Sequence, residues 1–468
     1  MQKHCQIPTP IEYVRTMLDL AGYTENLYGK TILENSCGEG RVLTEIVRRY
    51  IDDCRKNNYS NDTIRKGLQK DIKAYEIDPQ CAKKCIDKLD ELAADMNLKE
   101  IHWNIKTEDY LETSGESFDF IIGNPPYVTY HLLSDEERSQ LKRKFESCKQ
   151  GRFDYSYAFV EKSIKSLNQH GVLVYLIPYS IFRNKFAHTL RELIKRDIVS
   201  IIDYSGVNVF EDVTASTAII HLIKGSNGQT MIYRKGTDTK RTLIRKEKLA
   251  EKWLFTQKTS GKRFGDYYTV QNSVATLYNK AFLISEYEED EAYVVVDGYK
   301  IEKAILRNAV STKSCKKKDG KDRIIFPYRN HDGSYDRITE SDMGMNFPGA
   351  LSYLRQFADN LNDRDSSEGV LWYEYGRTQA LSEIYDEKLI ISMVITRKVT
   401  VYKADAESVP YAGYFIKAKN KQSHDLNFAK LLLEAPEFYE YVKNVGTPTT
   451  ETSFRISVRD IEDYSFAD

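Results

Sequence analysis

Ile121-Ile122-Gly123-Asn124-Pro125-Pro126-Tyr127 is an apolar run that ends abruptly in Asn-Pro-Pro-Tyr. Two consecutive prolines neither continue a helix nor donate to a sheet ladder, so Phe118 to Ile122 reads as a buried strand broken off at Asn124. In an open α/β sheet, ligands bind in the crevice beyond the carboxyl ends of the strands. The two rings hold the backbone extended there and aim the Asn124 amide and the Pro125 carbonyl into the crevice, with Tyr127 beside them as a flat face.

Three more strand ends lead to the same crevice. Pro8-Thr9-Pro10 precedes an amphipathic helix over about Ile11 to Leu20, with Ile11, Val14, Met17 and Leu18 on one side and Thr9 as its cap. Ile32 and Leu33 open a strand that turns at Gly38 and Gly40 into a helix through Tyr50. This is a ligand loop by position but not a dinucleotide fingerprint, because the third glycine is missing, and an ordinary strand-to-helix turn would use the same glycines. A charged, solvent-exposed stretch from Asp52 to Lys70, turning at Asn57 to Asp62, lengthens the first crossover. Ile72 to Pro79 reads as a second short strand ending in acid, followed by a helix from about Gln80 to Met96. Glu76 at that tip is placed to bind both ribose hydroxyls of a nucleoside, or else is a solvated strand-end carboxylate. A third strand near Ile101 to Ile105 leads to Glu108-Asp109-Tyr110-Leu111, where an acid could accept from an adenine amine.

Asn-Pro-Pro-Tyr suits methylation of an exocyclic amine conjugated to an aromatic ring. Such a nitrogen is a poor nucleophile because its lone pair is delocalised, and two acceptors for its N–H hydrogens draw it towards a tetrahedral, reactive shape. The ring stacks on Tyr127, which orients the amine for in-line attack on a methylsulfonium. A Pro-Pro loop after a core strand is the plainer reading of the same residues, so the decision rests on context.

Composition narrows that context. At 468 residues the chain is long for one domain, and 41% hydrophobic with 29% charged residues is ordinary for a globular protein. The net charge of −1 means that a polyanionic partner would have to meet basic residues concentrated on one surface. Seven cysteines without a Cys-x-x-Cys pair suggest reduced thiols, and no cluster suggests a metal site. No stretch has the apolar length of a membrane span, and the start is not a signal peptide, so a cytoplasmic location without membrane contact is expected.

Taken in order, Thr9-Pro10, the Glu34 to Gly40 loop, Glu76-Ile77-Asp78, Asp109-Tyr110, Asn124 to Tyr127 and Phe153-Asp154-Tyr155-Ser156-Tyr157-Ala158-Phe159 resemble the S-adenosylmethionine-dependent DNA amino-methyltransferases. The resemblance is strongest to the TaqI-type adenine-N6 enzymes of restriction-modification systems, whose cofactor motifs precede Asn-Pro-Pro-Tyr (gamma order). Gly171 to Pro178 looks like the family's next core strand, and Val209-Phe210-Glu211-Asp212 followed by Thr217 to Ile220 looks like its closing hairpin.

The resemblance implies a Rossmann-like methyltransferase domain over residues 1–255 and a C-terminal α+β target-recognition domain over 256–468. It implies that Thr9, Glu34 and Ser36 line the methionine end of S-adenosyl-L-methionine, with Gly38 and Gly40 letting the backbone approach. Glu76 would take the ribose hydroxyls, Ile77 and Phe159 would sandwich the cofactor adenine, and Asp109 with the Tyr110 backbone would read its edge. Asn124, lining the cofactor as well, would act with Pro125, Pro126 and Tyr127 on a flipped target adenine, and Phe210 would be a second aromatic against that base. Without the family match, Phe159 and Phe210 read as core. Two departures are Asn35-Ser36, where the family often shows Pro-Ala or Pro-Pro, and the long spacer from Arg41 to Tyr75, which reads as an insertion.

The catalytic half is expected to end near Ile223. Basic residues then gather at Arg234, Lys235, Lys240, Arg241, Arg245, Lys246 and Lys248, and again at Lys313, Lys316, Lys317, Lys318, Lys321 and Arg323. They would bind phosphate, or form a solvated surface beside the acidic run Glu286 to Glu291. Ser273 to Thr276, Ile325 to Tyr328 and Trp372 to Arg377 resemble the family's recognition domains more loosely. Arg377, Gln379, Arg397 and Lys398, next to expected strands and loops, are candidates to reach base edges in the major groove. Double-stranded DNA is the implied partner, met by a monomer, with a separate cognate restriction endonuclease as a further partner. Only a few residues precede Thr9, so a fused leading nuclease is not expected. Methyltransferases acting on RNA guanine, protein glutamine or cytosine N4 share the motif, and an inactive DNA-binding specificity protein remains the non-enzymatic alternative.

Overall fold

The computed structural model describes residues 8–205, 207–210, 216–236, 238–255, 261–316, 322–331, 334–420, 424–450 and 452–466. Glu211 and Asp212 of the expected hairpin, and Lys317, Lys318 and Lys321 of the second basic stretch, lie outside these. The chain divides into two units, Met1–Thr256 with Thr447–Thr452, and Gln257–Gly446 with Ser453–Asp468.

The first unit runs α1 (Ile11–Ala21), β1 (Ile32–Glu34), α2 (Arg41–Lys56), α3 (Asn61–Asp71), β2 (Ile72–Tyr75), α4 (Pro79–Asp95), β3 (Asn104–Lys106), β4 (Phe118–Gly123), α5 (Asp135–Lys144), α6 (Ser156–Lys165), β5 (Leu167–Pro178), α7 (His188–Lys195), β6 (Ile198–Asp203), β7 (Thr217–Ile223), β8 (Thr230–Lys235) and β9 (Arg241–Arg245). The strands form one sheet in the order β3-β2-β1-β4-β5-β7-β6-β8-β9. The first five are parallel, and β7 runs antiparallel to both β5 and β6. Helical crossovers make parallel pairing possible and leave the carboxyl ends of β1 to β4 along one edge. From β1 the chain steps outwards to β2 and β3, then returns to β4 on the other side of β1. That reversal is the switch point at which open α/β sheets bind ligands.

Alternation along the strands builds a core on each face. Leu33, Ile121, Leu173, Tyr175 and Ile220 enter one buried cluster with α6 and α7. Ile32, Ile122, Val174, Leu176 and Ile219 enter the other with α1, α2, α3 and α4. Ile121 and Ile122 are fully buried, and each contributes on the order of 1.5–3 kcal/mol of hydrophobic stabilisation. β4, gripped from both sides, is a rigid base for the turn after Gly123.

The structure differs from the sequence expectations at four places. The residue before α1 is Pro10, with no side-chain cap, and Thr9 is used elsewhere. The Asp52 to Lys70 stretch is not an exposed spacer: it holds the end of α2 and all of α3 but its last residue, with Ile64 and Leu68 fully buried and the Ser60 hydroxyl accepting from Thr63 N–H at 3.2 Å. Asp71 at its end accepts from the Tyr50 hydroxyl (2.5 Å) and Gly29 N–H (2.7 Å), a buried network hidden among charged letters. The sheet continues beyond Ile223, because β8 and β9 carry part of the first basic stretch. Within that stretch Lys246 is buried and donates to the Arg196 carbonyl at 2.8 Å, which removes it from the candidate phosphate ligands.

The second unit is α+β. One antiparallel sheet pairs Tyr268–Asn272, Tyr414–Ala418, Lys388–Ile391 and Tyr402–Ala404. A second combines Leu283–Ile284, Arg323–Ile325, Leu306–Val310 and Val409–Pro410. The helices Leu426–Glu434 and Pro436–Val445 contribute to its packing, and two apolar clusters form its core. Among the described residues of the chain, no helix is long and apolar enough to cross a membrane.

Candidate active site

Asn124 follows β4 directly, and two neighbours fix it. Its amide nitrogen donates to Thr9 Oγ1 at 3.2 Å, and its backbone carbonyl accepts from Ser36 Oγ at 3.2 Å. The side-chain oxygen is buried and has no hydrogen-bond partner among the described residues. Leaving such an acceptor unsatisfied costs roughly 1–3 kcal/mol, which an arriving N–H donor would recover. Pro125 is buried and Pro126 half-buried, so the turn is packed as well as stiff.

Tyr127 is partly exposed, and its hydroxyl donates to the Leu176 carbonyl on β5 at 2.8 Å. Burial, with the Asp154 charge nearby, pushes the phenol well above its usual range, so it stays a donor. One end of the ring is therefore tethered to the sheet.

The loops after β1 and β2 hold each other. Glu76 is buried, and its carboxylate accepts from Gly38 N–H (2.8 Å) and Asp78 N–H (2.9 Å). Gly40 has φ +83°, and a Cβ there would lie 2.5 Å from Cys85 Sγ on α4, so only glycine fits between the turn and that helix. Gly38, at φ +53°, has open space where a Cβ would point. Glu34 is buried with Oε2 unpartnered among the described residues, and burial, with Cys85 and Glu76 nearby, raises its carboxyl well above the usual range. Asn35 donates its amide to Ser163 Oγ (3.0 Å) and to the Tyr175 hydroxyl, which leaves its own Oδ1 without a partner among the described residues.

Further along the edge, Ile77 is 51% exposed, whereas Phe159 is 4% exposed and packs at 5.8 Å from Tyr110 and 5.4 Å from Tyr155. The two expected faces of the adenine slot thus differ, one open and one covered. Asp109 accepts from Leu111 N–H at 2.8 Å and caps the turn Tyr110–Glu112. Burial raises its carboxyl, against the Leu111 hydrogen bond that lowers it. Phe210 lies 2% exposed in the α1–α4 core and presents no free face in this structure.

Sequence reasoning missed the part played by α6. Lys162, buried, donates to the Tyr110 carbonyl, to Thr113 O (2.6 Å) and to Thr113 Oγ1 (3.0 Å), and lies 4.5 Å over the Tyr110 ring. Burial pushes its amine down to about 8. Ser163, one residue on, holds Asn35. Asp154, before the helix, accepts from Ser156 N–H (3.0 Å) and Ser156 Oγ (2.7 Å), and bridges to Thr129. Tyr155 N–H reaches the Val128 carbonyl at 2.9 Å. The helix α6, with the two residues before it, therefore braces three of the four strand-end loops. A lysine within the apolar helix stretch Tyr157 to Ile164, and Asp-x-Ser before it, were the available signals.

In the second unit, Asn272, Ile391 and Tyr414 share one end of the first antiparallel sheet. Loops leaving that end surround a cleft of about 800 Å³, lined by Asn272, Arg377 and Gln379 among others. Arg377 and Gln379 are exposed. Arg397 and Lys398 are exposed directly after the short strand Val394–Thr396, where Lys398 N–H bonds back to Thr396 O at 2.7 Å and Arg397 takes φ +61°. This tight turn is strained for a residue with a side chain and directs the arginine outwards.

Residues 18–210 match the family model described as Eco57I restriction-modification methylase. The type II restriction enzyme and methyltransferase RM.Eco57I of Escherichia coli is 24% identical over 343 residues, covering 62% of this chain and 34% of that protein. The type II methyltransferase M.HincII of Haemophilus influenzae is 35% identical over 227 residues, covering 47% of this chain and 38% of its own length. This chain thus spans well under half the length of these relatives. The solved structure of the type IIL restriction-modification enzyme MmeI in complex with DNA is similar in fold, with a TM-score of 0.61 at 13% identity over 97% of this chain and 66% of that one. The matched stretch, residues 18–210, carries every motif of the switch-point edge except Thr9 and is similar to the Eco57I restriction-modification methylases.

Proposed function

We propose that this chain is a site-specific DNA adenine-N6 methyltransferase of a restriction-modification system, using S-adenosylmethionine as methyl donor. The observation that carries the reading is the Asn124 side-chain oxygen. It is buried and unpartnered among the described residues, while the rest of the same residue is held by Thr9 and Ser36 at the switch point. Such an acceptor is set for one N–H of an incoming amine, and the Pro125 carbonyl takes the other. The names of the relatives, type II methyltransferases, and the family's description favour DNA as the substrate.

The edge also fits the methyl donor. Glu34 Oε2 and Asn35 Oδ1 are buried acceptors without partners among the described residues, beside the glycine turn and suited to an ammonium group. Glu76, oriented by two backbone N–H groups, presents its carboxylate to a ribose, with Ile77 and Phe159 on either side of an adenine and Asp109 at its edge. When bound, the donor supplies an electrophilic methylsulfonium. The residues of this chain then position the amine, polarise it and stack the target ring on Tyr127.

The amine of a paired adenine lies inside the duplex, so the base is flipped out to reach Asn124. Tyr127 supplies its stacking face, and Phe210 adds a second only if its ring swings out of the core. Arg377, Gln379, Arg397 and Lys398 read bases or hold phosphates from the second unit, which acts in target recognition.

Asn124→Ala tests this reading. Methyl transfer to duplex DNA should fall by about 100-fold or more, as on removal of one oxyanion-hole donor, with S-adenosylmethionine affinity in calorimetry nearly unchanged. Normal turnover by the variant would remove the assignment.

A further inference from the structure

Among the described residues, no large apolar side chain is more exposed than Leu132, at 75%. It lies five residues after Tyr127, so no more than about 18 Å of chain separates the two. Single exposed leucines are commonplace, but this one ends a turn that is fixed on every side. Before it, Thr129 bridges to Asp154, and the Val128 carbonyl accepts from Tyr155 N–H. After it, Leu133 is buried at 2% exposure, and the Ser134–Glu137 capping box starts α5.

Arg138 on α5 locks the turn itself, donating to the Tyr130 carbonyl (2.9 Å) and the His131 carbonyl (3.2 Å) with its guanidinium 4.6 Å over the Tyr130 ring. Lys142 adds a second cation, 5.5 Å from that ring, and Tyr130 meets Phe153 edge-on at 5.3 Å. A leucine held out from a rigid, cation-braced turn cannot fold back to hide its surface. Exposed Arg143 lies on the same helix, where a phosphate would be attracted.

Extracting a base leaves a gap in the stack, and proteins that distort duplexes insert apolar side chains, leucine among them, between base steps. We propose that Leu132 is such a wedge: it enters the stack beside the target adenine and occupies the space the base leaves. This rests on the DNA-methyltransferase reading above. Leu132 is a positioning residue, acting on the duplex and not on the transferred methyl group.

The experiment compares the wild-type chain with Leu132→Ala and Leu132→Met on two duplexes carrying the recognised word. One is fully paired, and the other has an abasic site opposite the target adenine. On paired DNA, Leu132→Ala should lose about tenfold or more in kcat/KM and most of the fluorescence rise of 2-aminopurine at the target position. Leu132→Met should stay within about twofold of wild type, since methionine also serves as a wedge. On the abasic duplex, where little pairing opposes extrusion, Leu132→Ala should recover to within about threefold. An undiminished rate on paired DNA, or an equal loss on both duplexes, would overturn the wedge while leaving the methyltransferase reading intact. A wild-type chain that methylates no DNA would overturn both.

Discussion

Tyr127 carries two separable contributions, and replacing it by Phe or Ala measures each. Tyr127→Phe removes the hydrogen bond to the Leu176 carbonyl (2.8 Å) and nothing else. A net loss of about 0.5–1.5 kcal/mol corresponds to roughly 2- to 12-fold in rate, expressed as a less firmly oriented ring. Tyr127→Ala also removes the stacking face, worth roughly 1–3 kcal/mol per base, so the combined loss is about 1.5–4.5 kcal/mol, or roughly 10- to 2,000-fold. The assay is single-turnover methylation of a duplex at saturating S-adenosylmethionine, with cofactor affinity measured in parallel. A mispaired target should bind the wild type more tightly than a paired one, because less pairing is lost on flipping. If Phe proves as damaging as Ala at unchanged cofactor affinity, the hydroxyl and not the ring is the working part. If Ala methylates normally, stacking on Tyr127 is refuted.

Gly40→Ala places a Cβ 2.5 Å from Cys85 Sγ on a backbone at φ +83°, combining about 1–2 kcal/mol of left-handed strain with about 1–3 of overpacking. Gly38→Ala meets open space and suffers the strain alone, so urea unfolding should find Gly40→Ala the less stable, and equal losses would contradict the geometry. Glu76→Ala should weaken S-adenosylmethionine binding by on the order of 1.5–3 kcal/mol, tenfold or more in calorimetry, and unchanged affinity would sink the ribose assignment. Burial raises the Asp154 carboxyl to about 6, so the folded chain keeps that proton to higher pH than the unfolded chain does. Stability should therefore fall as pH rises from about 4 through about 6, by up to about 3 kcal/mol, and the loss is complete above that window. Asp154→Asn can retain the bond from Ser156 N–H and should melt higher than wild type at pH 7.5 but not at pH 4; no gain at pH 7.5 would refute the burial argument.

The sheet's ligand edge was legible because its signals are local. Paired prolines after Ile122, glycines after Glu34 and an acid after Tyr75 each mark the end of a strand within a few letters. Thr9 enters the candidate site only through the family resemblance; its local reading as a helix cap failed because its partner, Asn124, is distant in sequence and Pro10 already occupies the cap position. α3 was hidden by surface charge that outnumbers its buried Ile64 and Leu68. Lys162 and Ser163 were missed because their partners, Tyr110, Thr113 and Asn35, become neighbours only when the sheet forms. Phe210 shows the converse: the resemblance placed it against the flipped base, while its apolar surroundings place it in the core.

The decisive measurement is base-modification sequencing of DNA from cells carrying the wild-type chain, the Asn124→Ala variant or neither. The expected result is N6-methyladenine within one short sequence word, present only with the wild-type chain. Unchanged adenines, or methylation appearing at cytosine N4 instead, would contradict the adenine-N6 assignment.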